Sequence, residues 1–184
     1  MIRHVTRKRK NGISFTISPF FTIICASFFL YLVWGLTYSV QDGIPLSSMW
    51  HLLVMAFLAL IGALYRDSWY FDTEEKTVTS FFGFGLIGKR VAYPFDSIER
   101  IELTHFVRGA VDKEAKPTRR RLKAMVVLSL RFDEDTVKDM EIIQEKSSGG
   151  RTESAAQSIS AVTGLGLFVD RPRDLDLNVG FKEL

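Results

Sequence analysis

Residues 19–65 read PFFTIICASFFLYLVWGLTYSVQDGIPLSSMWHLLVMAFLALIGALY. In and around this stretch two uncharged runs flank a single acidic residue, Asp42. The first covers Asn11 to Gln41, 31 residues, and the second covers Gly43 to Tyr65, 23 residues. About 20 apolar residues of helix cross a bilayer core, so each run is long enough to span. Ser18-Pro19 supplies a helix start, with serine as N-cap and proline at the first helical position, where a missing N–H is no loss. The first helix is expected to reach about Tyr38. VQDGIP (40–45) is a polar turn, and a second helix follows from about Leu46 to Tyr65. A cleaved signal peptide has an apolar core of only ~7–15 residues and a small-residue cleavage site. This run is much longer, and no A-x-A site follows it.

Charge sets the expected orientation. Arg3, Arg7, Lys8, Arg9 and Lys10 precede the first run, whereas the turn carries only Asp42. The positive-inside rule keeps the N-terminus cytoplasmic, and two crossings return the chain there at Arg66. Trp34, Tyr38 and Trp50 near the turn, with Tyr65, Trp69 and Tyr70 at the other end, are expected at the two interfaces. The net charge of +3 is carried by the N-terminal cluster, and the part after the helices is nearly neutral. A nucleic-acid-binding domain needs its basic surface on the folded part, so none is expected. The one cysteine, Cys25, lies inside the first run and allows neither an intrachain disulfide nor a thiolate metal cluster. A domain without cysteine suits a reducing compartment. His51 and Cys25 lack partners at ligand spacing and read as interfacial and packing residues. Ala59, Gly62 and Ala63 form a small-residue face for close helix packing.

Beyond Arg66 the period changes to two. Strands are expected over 68–72, 77–84, 89–95, 98–106, 122–132 and 137–146. The clearest is LKAMVVLSLRF (122–132), where Leu122, Ala124, Val126, Leu128, Leu130 and Phe132 share one side. Between two of these strands lies SFFGFGLIGKR (80–90), with Gly83, Gly85 and Gly88 spaced as G-x-G-x-x-G. A dinucleotide fingerprint needs a helix after the glycines to receive the pyrophosphate. An alternating segment containing Pro94 follows instead, so a hairpin is expected, with Gly85 and Gly88 supplying positive φ or a bulge. SSGGR is a flexible link into a short amphipathic helix over 152–162, with Thr152 as N-cap and Gly164 as its end. LGLFVD then returns as an extended segment.

The segments YFDTEEKTVTSFFGFGLIGKRVAYPFDSIERIEL (70–103) and SAAQSISAVTGLGLFVD (154–170), placed after two apolar helices, resemble the bacterial pleckstrin-homology-like (bPH) domain membrane proteins. The resemblance covers roughly residues 65–170. It implies a turn-closed first hairpin, a corner at the YPFDSI motif followed by a strand, and a C-terminal helix closing an open barrel. Phosphoinositide-binding members carry Lys and Arg at the first hairpin. Here that turn is Thr73-Glu74-Glu75-Lys76, so inositol-lipid recognition is not implied. The layout, though not the residues, is also similar to that of the photosystem I assembly proteins of chloroplasts and cyanobacteria.

Catalytic constellations are missing from the sequence: it has no G-x-S-x-G, H-E-x-x-H, C-x-x-C or P-loop. His105 reads as a structural or surface strand histidine, and Asp133-Glu134-Asp135-Thr136 as a solvated turn. One long loop, RGAVDKEAKPTRRRLK (108–123), stands out. Its Lys113, Lys116, Arg119, Arg120, Arg121 and Lys123 are candidate contacts for anionic lipid headgroups or an acidic partner, at about 1 kcal/mol per basic residue near a membrane surface. A solvated loop is the alternative reading.

The expected molecule is thus a membrane-anchored α+β protein. A basic cytoplasmic N-terminus (1–17) precedes a two-helix transmembrane hairpin (18–65). An antiparallel PH-like β-barrel closed by a C-terminal helix (66–170) and a tail (171–184) follow. Its expected place is the cytoplasmic (inner) membrane, multi-pass, with both termini cytoplasmic. Its expected role is a non-enzymatic adaptor or assembly module that needs no cofactor or metal and docks another membrane protein. The alternative is an anionic-lipid-responsive module acting through the 108–123 loop.

Overall fold

The computed structural model describes residues 3–108, 123–133 and 136–170. The chain divides into two compact units, residues 1–92 and 93–184.

The first unit opens with a hairpin of β1 (His4–Arg9) and β2 (Gly12–Ile17). Two helices follow. The first is α1 (Pro19–Gln41), and the second is α2 (Trp50–Leu64), entered through a 3-10 turn at Leu46–Met49. The chain then returns through β3 (Tyr65–Asp72), β4 (Thr77–Phe84) and β5 (Ile87–Pro94). All five strands form one sheet in the order β1-β2-β3-β4-β5. The pairing of β2 with β3 is antiparallel, Gly12 opposite Asp72 and Thr16 opposite Ser68. The helices therefore occupy the place of a hairpin turn between two hydrogen-bonded neighbours. Along one face Ile13, Phe15, Phe71 and Val78 are fully buried, because β-branched and aromatic residues alternate there at a period of two.

The 1–17 segment, expected as a basic tail, thus contains two strands of the sheet. The aromatic assignment also changes at the sheet end of the helices. Trp69 is buried within the sheet and not placed as an interface anchor. Ser18 does precede Pro19 at the start of α1, as expected, but its side chain makes no cap hydrogen bond.

The second unit begins with a 3-10 corner at Phe95–Ser97, within the YPFDSI motif, and continues into β6 (Arg100–Arg108). After it come β7 (Lys123–Arg131), β8 (Val137–Gln144), α3 (Glu145–Ser148), α4 (Arg151–Thr163) and β9 (Leu167–Asp170). The sheet order is β8-β7-β6-β9, with β9 parallel to β6 and the other pairs antiparallel. Val126, Leu128 and Leu130 are buried as their alternation requires, and Val127 and Ser129 between them are buried too. Helix α4 packs on β6, β7 and β9 through Ala155, Ala156 and Ile159. Its N-cap is Gly150, in the left-handed region, and not Thr152, whose side chain turns inward to the sheet. The SSGG link (147–150), expected to be flexible, begins within the single turn α3, whose last two residues are Ser147 and Ser148.

The α+β architecture, the two apolar helices and the antiparallel pairing of the strands are as expected, except that β9 joins β6 in parallel. The barrel is not. The described strands hydrogen-bond into two separate sheets, and no ladder closes them into a barrel.

Candidate membrane interface

Helices α1 and α2 are apolar almost all round. In the most apolar 18-residue window of each span, only 6% (Pro19–Gln41) and 17% (Leu46–Leu64) of residues are buried. A helix hydrophobic on every face belongs in a large core or a bilayer, and among the described residues these two helices are left almost uncovered. The few buried positions mark the helix–helix seam. Leu36, Met49 and Ala56 pack with Phe29, Leu32 and Leu52. Farther along, Gly62 lies so close to α1 that an added Cβ would come within 2.9 Å of the Cys25 Sγ. Small residues at this seam allow the close approach. At the far turn Trp34, Tyr38 and Trp50 are exposed, as interface anchors require.

At the opposite end the helices join the sheet without a linker. The Ser18 N–H donates to the Arg3 carbonyl at 2.7 Å, tying the start of α1 to the start of β1. The Gly85 N–H donates to the Leu64 carbonyl at 2.6 Å, tying the end of α2 to the β4–β5 turn. One rim of the sheet, formed by His4, Ile17, Tyr65 and Phe84 with the Gly85-Leu86 turn, is therefore the rim beside the helices. The Tyr65 ring packs against Phe82 and Phe84 with centroids 5.8 and 5.9 Å apart. His4 stacks on Phe15 and lies 3.5 Å from Asp67. Of the basic N-terminal residues only Arg3 sits at this rim. Strand β1 carries Lys8, Arg9 and then Lys10 away from it, about 3.3 Å per residue.

The glycine motif builds this rim. Gly85 takes the turn at φ +61°. Gly83 and Gly88 face each other across the hairpin: an added Cβ on Gly83 would lie 2.3 Å from the Ile87 carbonyl oxygen, and one on Gly88 would lie 2.6 Å from that of Phe82. Gly85 thus has the expected positive φ. Gly88 is needed for close backbone approach and not for φ, and so is Gly83.

The loop candidates Lys113, Lys116, Arg119, Arg120 and Arg121 lie outside the described residues, as do Glu134 and Asp135 of the expected turn and the 171–184 tail. Lys123 is the first residue of β7, opposite Arg108.

The second unit holds two polar clusters that sequence patterns did not reveal. On one face of its sheet Glu102 is buried. Its Oε1 accepts from Arg131 Nε at 2.6 Å and from Arg100 Nε at 2.8 Å, and its Oε2 accepts from Arg131 Nη2 at 3.1 Å. These bonds, the Arg131 pair first, hold the Glu102 carboxyl below the usual carboxylate range against the opposing effect of burial. Arg100 also lies over the Phe168 ring of β9, 5.1 Å from its centroid. Toward α4, Ser148 donates to Thr152 Oγ1 at 3.0 Å, and Thr152 donates to Glu141 Oε2 at 3.1 Å. His105 Nδ1 meets the Asp170 carbonyl at 2.9 Å, so that nitrogen carries the proton, and Nε2 lies 3.8 Å from Glu153 of α4. The first cluster ties β6 to β7 and, through Arg100, to the edge strand β9, and the second ties α4 to the sheet and β6 to the end of β9. Ser148 bonds carboxylate and hydroxyl partners, not His105, so the pair forms no nucleophile–base couple. Among the described residues no group of three or more His, Cys, Asp or Glu could hold a metal ion.

No family model, curated protein or solved structure matches this chain.

Proposed function

We propose that this protein is a non-enzymatic, membrane-anchored adaptor. Its helix hairpin crosses the cytoplasmic membrane twice, and its β-rich part docks another membrane protein at the cytoplasmic face. The observation that carries this reading is the place of the helices. Two apolar, almost unburied helices are inserted between hydrogen-bonded neighbours β2 and β3, with strand leading directly into helix on both sides. Strands that pair cannot lie on opposite sides of a bilayer, so the helices cross an even number of times. The basic N-terminus supports the cytoplasmic side. A domain held at the surface without a linker meets other membrane proteins by lateral diffusion and needs no recruitment signal. The pleckstrin-homology-like reading is supported by the hairpin at 73–76, the 3-10 corner at Phe95–Ser97 and the late helix α4, which follow the order that the resemblance implies.

Two measurements test the proposal. Compartment reporters after Leu184 and before Met1 should both be active only on the cytoplasmic side. Photocrosslinking in native membranes from exposed sheet positions of the full-length protein should recover one distinct membrane protein. Recovery of lipid and self-crosslinks alone would remove the adaptor role.

A second reading is an anionic-lipid response through the 108–123 loop. Its support is that Arg108 and Lys123 stand opposite each other at the loop's base, which adds basic residues at both ends of an already basic segment. Vesicle binding that weakens with salt and disappears when Arg119, Arg120 and Arg121 become Ala would favour it.

A further inference from the structure

The β4–β5 turn carries apolar side chains that nothing in the first unit covers. Leu86 is 94% exposed and Ile87 84%, more than any other large apolar residue among those described, the helices included. Phe82 and Phe84 on the same hairpin are about half exposed. A two-residue turn in a soluble hairpin favours Asn, Asp or Gly, because its side chains meet water. Here the turn and the first position of the next strand read Gly-Leu-Ile.

What covers them is indicated by where they sit. The Gly85 N–H is bonded to the carbonyl of Leu64, the last residue of α2. Leu86 is the next residue, so it lies within about one residue rise, roughly 3–4 Å, of the level at which the helix ends. Tyr65, the first residue after the helix, is ringed by Phe82 and Phe84 of this same hairpin. The apolar surface of α2 therefore continues onto the hairpin tip without a polar break. Charge follows the same order. No Asp or Glu occurs between Glu75 and Asp96, while Lys89 and Arg90, both exposed, come directly behind the tip. Apolar residues at the end, an aromatic pair beside them and two cations just behind match the depth order of acyl chain, interface and phosphate.

We infer that the β4–β5 hairpin is a third membrane contact: Leu86 and Ile87 enter the acyl boundary beside α2, and Lys89 and Arg90 meet lipid phosphates. The inference rests on the proposal that the helices cross a bilayer. It adds a consequence that the two helices alone do not have. Two crossings fix the sheet at one rim. A third contact, out along the sheet from the helices, stops the sheet from tilting and fixes which of its faces is presented along the membrane plane.

The test uses the full-length protein with Cys25→Ser, reconstituted in phospholipid vesicles containing a fraction of anionic lipid. Single cysteines introduced as Leu86→Cys, Ile87→Cys, Phe57→Cys and Lys10→Cys carry an environment-sensitive fluorophore. Quenchers are lipids spin-labelled high or low on the acyl chain. Labels at 86 and 87 should emit blue-shifted and lose most of their fluorescence to the shallow quencher. The label at 10, on the far rim of the same sheet, should stay red and unquenched. The label at 57, in mid-helix, reports the underlying membrane reading through the deep quencher. Quenching at 57 with none at 86 and 87 overturns the inference while leaving the anchor in place. No quenching at 57 removes the anchor itself and the inference with it. A blue shift at 86 that occurs in native membranes but not in pure lipid also overturns it, because a protein partner then covers the tip. Leu86 and Ile87 are so exposed that labelling them does not touch the core.

Discussion

Glu102 shows how a single side chain couples the fold of the second unit to pH. Its buried carboxylate is the acceptor for two guanidinium groups, and charge-assisted bonds of this kind are the strong ones. Because its pKa is held down in the folded state, it binds a proton more readily when the chain unfolds. Its contribution is therefore fully present above the unfolded value, about 4.3, and is lost as pH falls from there through the lower folded value. Glu102→Gln should cost about 1–3 kcal/mol at neutral pH and flatten the loss of stability as pH falls below the ordinary carboxylate value of about 4.3. Denaturant midpoints of wild type and variant measured across that range check it; parallel pH profiles would show that another carboxylate governs the acid transition. Nothing in the sequence singled out Glu102. It is one of four acidic and basic residues between 96 and 102, and only pairing β6 with β7 brings Arg131 opposite Arg100 and beside it. The glycines were easier. A following strand told against a nucleotide loop, while the face-to-face contact of Gly83 with Gly88 required the register of two strands.

At the scale of elements, alternation carried most of the assignment. The strands expected at 77–84 and 122–132 fall at Thr77–Phe84 and Lys123–Arg131; in β7 the alternating apolar residues mark the strand, although its other face is buried too. The N-terminal hairpin was legible too. Lys10-Asn11 with Gly12 is a strong turn signal, and Ile13, Phe15 and Ile17 alternate behind it. Its four consecutive basic residues look like a membrane flank, and its second strand lies inside the uncharged run that starts at Asn11, so 1–17 reads as a basic tail ahead of the helix. Helix α4 was visible from Ala155, Ile159 and Val162, but its start was misplaced. Thr152 has the chemistry of a cap, yet its hydroxyl is engaged by the buried Glu141, a partner no local pattern specifies. Ile159 is fully buried against the sheet. Ile159→Asp places an unpaired carboxylate there and should cost on the order of several kcal/mol. Thermal unfolding of the full-length protein in detergent should show a large drop in midpoint. An unchanged midpoint would mean that α4 contributes nothing to the core.

For the whole molecule, the decisive feature is that the helix pair replaces a turn. A domain starting after the second helix, the boundary expected from the sequence, would lack β1 and β2 and leave the long edge of β3 open. An unpaired edge of that length invites association with other chains. The end of β2 and the start of β3 are antiparallel neighbours, and such strands lie about 4.8 Å apart. A short loop can therefore join them. Replacing residues 18–64 by Asn-Gly leaves Asn-Gly-Tyr65-Arg66 between Ile17 and Asp67, within the usual 2–5 residues of a hairpin loop. With Leu86→Ser and Ile87→Ser removing the apolar tip, this chimera should be water-soluble and unfold in one cooperative transition per compact unit. Fragment 68–184 with the same two changes should aggregate or give a broad, non-cooperative transition. The comparison separates two ideas of the molecule. If both proteins unfold alike, the N-terminal hairpin is a dispensable cover. If only the chimera folds, the five-stranded sheet is one unit that the helix hairpin interrupts, and the helix pair is an insertion into a domain rather than an addition to its end.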